Sequence, residues 1–140
     1  MGTALPNRSP IGYKQTMRTA ITNPNASSVG PYSHAIDTGD LVFLSGQVPL
    51  DSTTGKLVDG DIGDSTRQCF ANIAGVLEAG GMTLDNVVKV TVFLVDMDDY
   101  AGMNEAYAEA FSAPYPARSA FAVAELPIGA PIEIEVIAKR

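Results

Sequence analysis

A chain of 140 residues with 46% hydrophobic and 18% charged residues is sized for one domain with its own core and is not composed like a disordered chain. Its single cysteine, Cys69, and single histidine, His34, exclude an internal disulfide framework, a cysteine-built zinc site and a multi-histidine metal centre. The formal net charge of −7, with nine scattered cations of which only Lys139 and Arg140 are adjacent, weighs against a polyphosphate partner, while one arginine can still hold a small carboxylate.

Residues 1–36 carry Arg8, Lys14, Arg18 and His34 but no acid; Asp37 is the first. Residues 1–16 read as a flexible arm and 17–140 as one domain. The arm is either a short solvated tail ahead of Met17, which fits a cytoplasmic protein, or a mitochondrial transit leader. No apolar run reaches the ~20 residues of a membrane-spanning helix. Residues 23–31 are a loop by composition. Asp37-Thr38-Gly39-Asp40 lies between two extended segments, the second being Leu41–Ser45, and predicts a hairpin. Asp51–Gly55 is a further turn. From Asp61 the period changes: Thr66, Cys69, Phe70, Ile73, Val76 and Leu77 recur at helical steps, with Asp61 or Asp64 as cap and Gly80-Gly81 as stop. Asn86–Val95 is β-branched and predicts a strand buried on both faces. Acids at Asp96–Asp99 favour the start of a second helix, striped by Tyr100, Met103, Tyr107 and Phe111 and ended by Pro114 and Pro116. Arg118–Val123 and Ile132–Ala138 are further strands. This order predicts an α+β fold with two helices packed on one face of a mixed sheet. Two helices cannot cover both faces, so the other face points to self-association.

The usual catalytic constellations are absent: no phosphate loop, no nucleophile elbow, no triad around His34. His34 reads as structural or exposed, and Cys69 as a buried small hydrophobe. Arg118 opens a strand of small residues, Ser119-Ala120, where a guanidinium could hold a carboxylate by paired hydrogen bonds; a surface ion pair is the plainer reading. Glu133 and Glu135 alternate with Ile132, Ile134 and Val136, which puts both carboxylates on one side of a strand. A solvated face explains Glu135; Glu133, nearer the Pro-Gly loop, could serve as a general base acting through water.

Seven segments, in order, add a resemblance: Val29–Ala35, Ser45–Asp51, Thr54–Val58, Val87–Leu94, Asn104–Tyr107, Pro116–Ser119 and Ile132–Glu135. Over residues 18–140 the chain resembles the RidA (YjgF-like) family of reactive intermediate deaminases. The resemblance implies a chorismate-mutase-like fold, a homotrimer with clefts between subunits, and hydrolysis of enamines and imines such as 2-aminoacrylate to 2-oxo acids and ammonia. It implies no metal or organic cofactor and a small 2-imino or 2-oxo carboxylate as ligand; the family has also been labelled an endoribonuclease, but the net charge of −7 and the missing basic patch weigh against a nucleic acid, and the lack of a long apolar run against a membrane. By position, Arg118 matches the family's carboxylate-binding arginine and Glu133 its water-positioning glutamate. Tyr32, Ser45, Gly46 and Asn104 match cleft-lining residues, and Ala120 contributes backbone. Two positions depart: Ala120 stands where many members have cysteine, and Ile128 replaces a common lysine. Alternatives within the resemblance are a deaminase of a larger unsaturated amino acid such as 2-aminomuconate, or a non-catalytic small-molecule-binding or chaperone-like regulator. If Arg118–Val123 and Ile132–Ala138 pair as a hairpin, Arg118 and Glu133 lie ~16 Å apart at ~3.3 Å per residue, so one small ligand could touch both only across two chains.

Overall fold

The structure, a computed structural model, describes residues 17–26 and 30–140; the arm expected over residues 1–16 lies outside them. The elements are β1 (Thr19–Ile21), β2 (Ala35–Asp37), β3 (Leu41–Leu44), α1 (Ile62–Ala79), β4 (Val87–Leu94), α2 (Tyr100–Ala110), β5 (Ala117–Ala122) and β6 (Ile132–Lys139). They form one six-stranded sheet in the order β1-β2-β3-β6-β4-β5. Only β4 and β5 pair in parallel; every other neighbouring pair is antiparallel. The chain is therefore two strand–helix–strand units, β3-α1-β4 and β4-α2-β5, with the last strand threaded between β3 and β4. Among the described residues no helix is long and apolar enough to cross a membrane.

Local chemistry explains the elements. Asp61 caps α1 by accepting from the Asp64 backbone N–H at 2.9 Å, and Asp64 returns the bond to the Asp61 N–H at 3.1 Å, a reciprocal capping box. Gly81, at φ +77°, turns the chain out of the helix after Gly80. The predicted helical face is buried in full, from Thr66 through Leu77. On α2, Met103 and Tyr107 are buried, and Phe70, Tyr107 and Phe111 form an aromatic knot with centroids 5.1 to 5.5 Å apart. The hairpin expected around Gly39 joins β2 to β3.

Strand alternation divides the sheet cleanly. Val90, Val92 and Leu94 on β4 and Ile132, Ile134, Val136 and Ala138 on β6 are buried beneath the helices. The opposite face carries Phe43 and Phe121, 44% and 45% exposed, with Phe93, Glu133, Glu135 and Ile137 partly buried or exposed. The expectation that residues 86–95 are buried on both faces is thus corrected: within one chain β4 is covered on the helix side alone, because both crossovers run over that side.

The hairpin assumed between residues 118–123 and 132–138 is also corrected. β5 and β6 do not pair; β4 lies between them. The connecting loop crosses the end of β4 and is pinned there by Val123 N–H to Leu94 O at 2.7 Å and Val95 N–H to Pro131 O at 3.2 Å. Within it Ile128 adopts φ 52° and is 63% exposed. A β-branched residue in the left-handed region is strained, and its exposed side chain returns little burial energy. Ile128→Gly should therefore raise the unfolding free energy by roughly 1 kcal/mol, read as a higher urea midpoint at unchanged slope; an equal or lower midpoint contradicts the strain.

Candidate active site

The structure gathers the predicted site residues into two groups. The first surrounds Glu133. The segment after β3 runs beside β6: Gln47 N–H donates to Ile134 O at 2.8 Å and Ile134 N–H returns to Gln47 O at 3.0 Å. This bridge lays the Glu133 side chain over Gly46, so that a Cβ there would sit 2.9 Å from Glu133 Cδ and 3.0 Å from Oε1. Ser45 ties in the segment that carries Tyr32: its N–H donates to His34 O at 3.0 Å and its Oγ to Ser33 O at 2.7 Å. Tyr32 itself is 46% exposed. From α1, the Asn72 amide donates to Val48 O and Leu50 O and anchors the strand-like loop that follows. Burial, and then the negative charge of Glu135, raise the Glu133 carboxyl above the ordinary glutamate range.

The second group surrounds Arg118 on edge strand β5. Arg118 registers with Val90, and Ala120 with Val92, so both side chains lie on the helix face. The Arg118 guanidinium carbon stands 4.6 Å from the Tyr107 ring centroid, Nη2 donates to Tyr100 Oη at 3.0 Å, and Nη1 lies 4.0 Å from Met103 Sδ. Asn104 follows Met103 on the same turn of α2 and is half-buried. The plainer expectation for Arg118, a surface ion pair, is not met. Ion pairs form elsewhere, among them Arg67 with Asp64 and Glu109, Lys139 with Asp40, and Arg140 with Asp37. Among the described residues Arg118 forms no ion pair, and its contacts are Tyr100, Met103 and Tyr107.

The two groups do not meet within one chain. Arg118 aligns with Val90 of β4 and Glu133 with Phe93, three residues further on. At ~3.3 Å per residue and ~4.8 Å between strands, their backbones stand on the order of 14 Å apart. More decisively, Arg118 faces the helices and Glu133 the open side of the sheet. The sequence-based separation came from a wrong pairing, yet the conclusion that one small ligand cannot touch both within a chain holds for a stronger reason.

The remaining candidates are structural. His34 is buried and its Nδ1 accepts the Asn23 backbone N–H at 3.0 Å, which leaves its proton on Nε2. Cys69 is fully buried, and burial, reinforced by the charge of Glu133, pushes its thiol far above the ordinary range. Tyr100, Met103 and Tyr107 were legible only as an apolar stripe; two tyrosines facing the strand that carries a lone arginine were the missed signal.

Gly46 yields a direct test. Its alanine would meet the mobile end of Glu133 and not fixed backbone, so the carboxylate, not the fold, should give way. Gly46→Ala is expected to keep its melting temperature within a few degrees while any activity that depends on Glu133 falls at least about tenfold, since displacing a positioned group by an ångström can cost ~10²-fold.

A family model described as Endoribonuclease L-PSP matches residues 22–140. The chain is 51% identical over 125 residues to a RutC family protein of Pyrococcus horikoshii, covering 89% of this chain and 99% of that one. It is 42% identical over 123 residues to the mouse 2-iminobutanoate/2-iminopropanoate deaminase, covering 87% and 91%. Among solved structures, E. coli TdcF with bound serine superposes with a TM-score of 0.80 at 36% identity, covering 87% of this chain and 98% of that one. The chain belongs to the L-PSP endoribonuclease family, the group also called YjgF/RidA.

Proposed function

We propose that the protein hydrolyses small 2-imino acids, and the enamines that tautomerise to them, to 2-oxo acids and ammonia, in clefts between the subunits of a homotrimer. The observation that carries this reading is Arg118: a guanidinium with no carboxylate partner among the described residues, held by tyrosines and a methionine, is an open receptor for a ligand's carboxylate. The mouse relative named as an imine deaminase supports the reaction, and the serine-bound neighbour supports a ligand of that size and carboxylate chemistry.

The reaction needs little else. Arg118 holds the substrate carboxylate by a fork of N–H bonds. Glu133 takes a proton from water as its oxygen adds to the imine carbon, which gives a tetrahedral carbinolamine. Starting from the protonated imine, Glu133 then passes that proton to the nitrogen, the C–N bond breaks, and the hydroxyl proton returns to Glu133 as the C=O closes and ammonia leaves. A positioned base contributes ~10²- to 10⁴-fold, and orientation contributes further. Because Arg118 and Glu133 face opposite sides of the sheet, the site takes each from a different chain. The exposed Phe43 and Phe121 supply an apolar face for that assembly. RNA cleavage has less support: the adjacent cations Lys139 and Arg140 are already paired with Asp40 and Asp37, and the net charge is −7.

Ammonia release from 2-aminoacrylate generated in place by a pyridoxal-phosphate dehydratase tests the reading. Arg118→Lys keeps the charge but loses the fork, and should lower kcat/KM at least about tenfold with the fold intact; activity within twofold of wild type removes Arg118 from the mechanism. Arg118→Ala and Glu133→Ala chains, each inactive, should regain activity after subunit exchange. No recovery in mixed trimers verified by mass spectrometry contradicts a shared site.

Glu133 adds a pH prediction. It must be ionised to accept a proton, so kcat/KM should fall on the acid side with a midpoint above the ordinary glutamate value of 4.5. The same raised pKa means that the folded state binds the proton more tightly than the unfolded chain. That contribution is fully present below the unfolded value and is lost as pH rises through the folded one. Glu133→Gln removes the penalty of the buried charge. It should be at least as stable as wild type at pH 7, with the gap closing below about pH 4, while kcat falls and product binding persists. A less stable, fully active Glu133→Gln contradicts both statements.

A further inference from the structure

Among the described residues Arg118 has no ion-pair partner, yet it is not loose. Its guanidinium lies over Tyr107 at 4.6 Å and donates from Nη2 to Tyr100 Oη at 3.0 Å, with Met103 Sδ 4.0 Å from Nη1. The three holding residues stand at i, i+3 and i+7 of α2, one stripe facing the edge strand. Tyr107 cannot yield, because it is 6% exposed and packs edge-on against Phe70 at 5.5 Å and at 5.1 Å from Phe111. Tyr100 is partly exposed and reaches Arg118 through its hydroxyl.

We infer that Tyr100 and Tyr107 are positioning residues that hold Arg118 in its ligand-ready rotamer without neutralising it. An arginine on an edge strand would otherwise lose much rotamer freedom on gripping a ligand, and that loss weakens binding. An aspartate or glutamate could restrain the side chain too, but would compete with the incoming carboxylate. A phenol oxygen takes one N–H, and an aromatic face attracts the cation without occupying any. Of the five guanidinium N–H groups, Tyr100 takes one and Met103 faces another, so three remain, enough for a two-point grip on a carboxylate.

The inference rests on the reading of Arg118 as the carboxylate receptor, and the test separates the two. Binding of 2-oxobutanoate is measured by calorimetry on the assembled protein, beside NMR relaxation of the Arg118 Nε–H. Arg118→Ala should abolish binding; unchanged affinity overturns the receptor reading and the clamp with it. Tyr100→Phe should keep the melting temperature, weaken binding about 3- to 10-fold, raise KM more than it lowers kcat, and loosen the Nε–H signal. If Arg118→Ala abolishes binding while Tyr100→Phe binds within twofold of wild type and leaves that signal rigid, the clamp alone is overturned. Tyr107→Leu, which keeps an apolar side chain and removes the ring, should loosen the signal further. Since Tyr107 is core, the Tyr100 variant decides if Tyr107→Leu does not fold.

Discussion

Strand β6 enters the sheet last in sequence and lies third from its edge in space, hydrogen-bonded to β3 on one side and β4 on the other. Its strict alternation sends Ile132, Ile134, Val136 and Ala138 under the helices and Glu133, Glu135 and Ile137 to the other side. Without that strand β3 and β4 would have no common partner, and the helix-side core would lose its centre. The same pleat that places four side chains in the core fixes the Glu133 carboxylate on the far face, where Gly46 leaves room for it.

Opposed to it is β5, an edge strand whose helix-side residues are small except for Arg118. The tyrosines of α2 reach the Arg118 guanidinium from the helix side. The fold thus keeps Arg118 and Glu133 on opposite faces of the sheet. Held apart in this way, they cannot cancel each other as an internal ion pair.

The fold was legible where periodicity is local. The helix beginning at Asp61 announces itself by cap, stripe and glycine stop, and the hairpin at Gly39 by its turn residues. Strand partnership was not legible. Leu126-Pro127-Ile128-Gly129 looks like the turn of a hairpin, but it carries the chain over the end of β4, and nothing in the local sequence says which strand a strand will meet. β1, three residues at the sheet edge, is too short to show a period. Glu133 and Arg118 stood out as chemistry, each with an ordinary explanation beside it; only tertiary placement removed the ion pair as an account of Arg118 and put Gly46 beneath Glu133.

The late entry of β6 also bears on how the chain is made. While a ribosome is still delivering residues 132–139, β3 and β4 are synthesised but have a gap between them where their shared neighbour belongs. Their apolar faces stay exposed during that interval, and the closing contacts are distant ones: Lys139 with Asp40, Arg140 with Asp37, and the Asn86 amide with Lys139 O. Sheet formation dominated by such separations is slow and leaves unpaired edges open to wrong partners. Folding of this domain is accordingly completed only after the segment that carries Glu133 has left the exit tunnel.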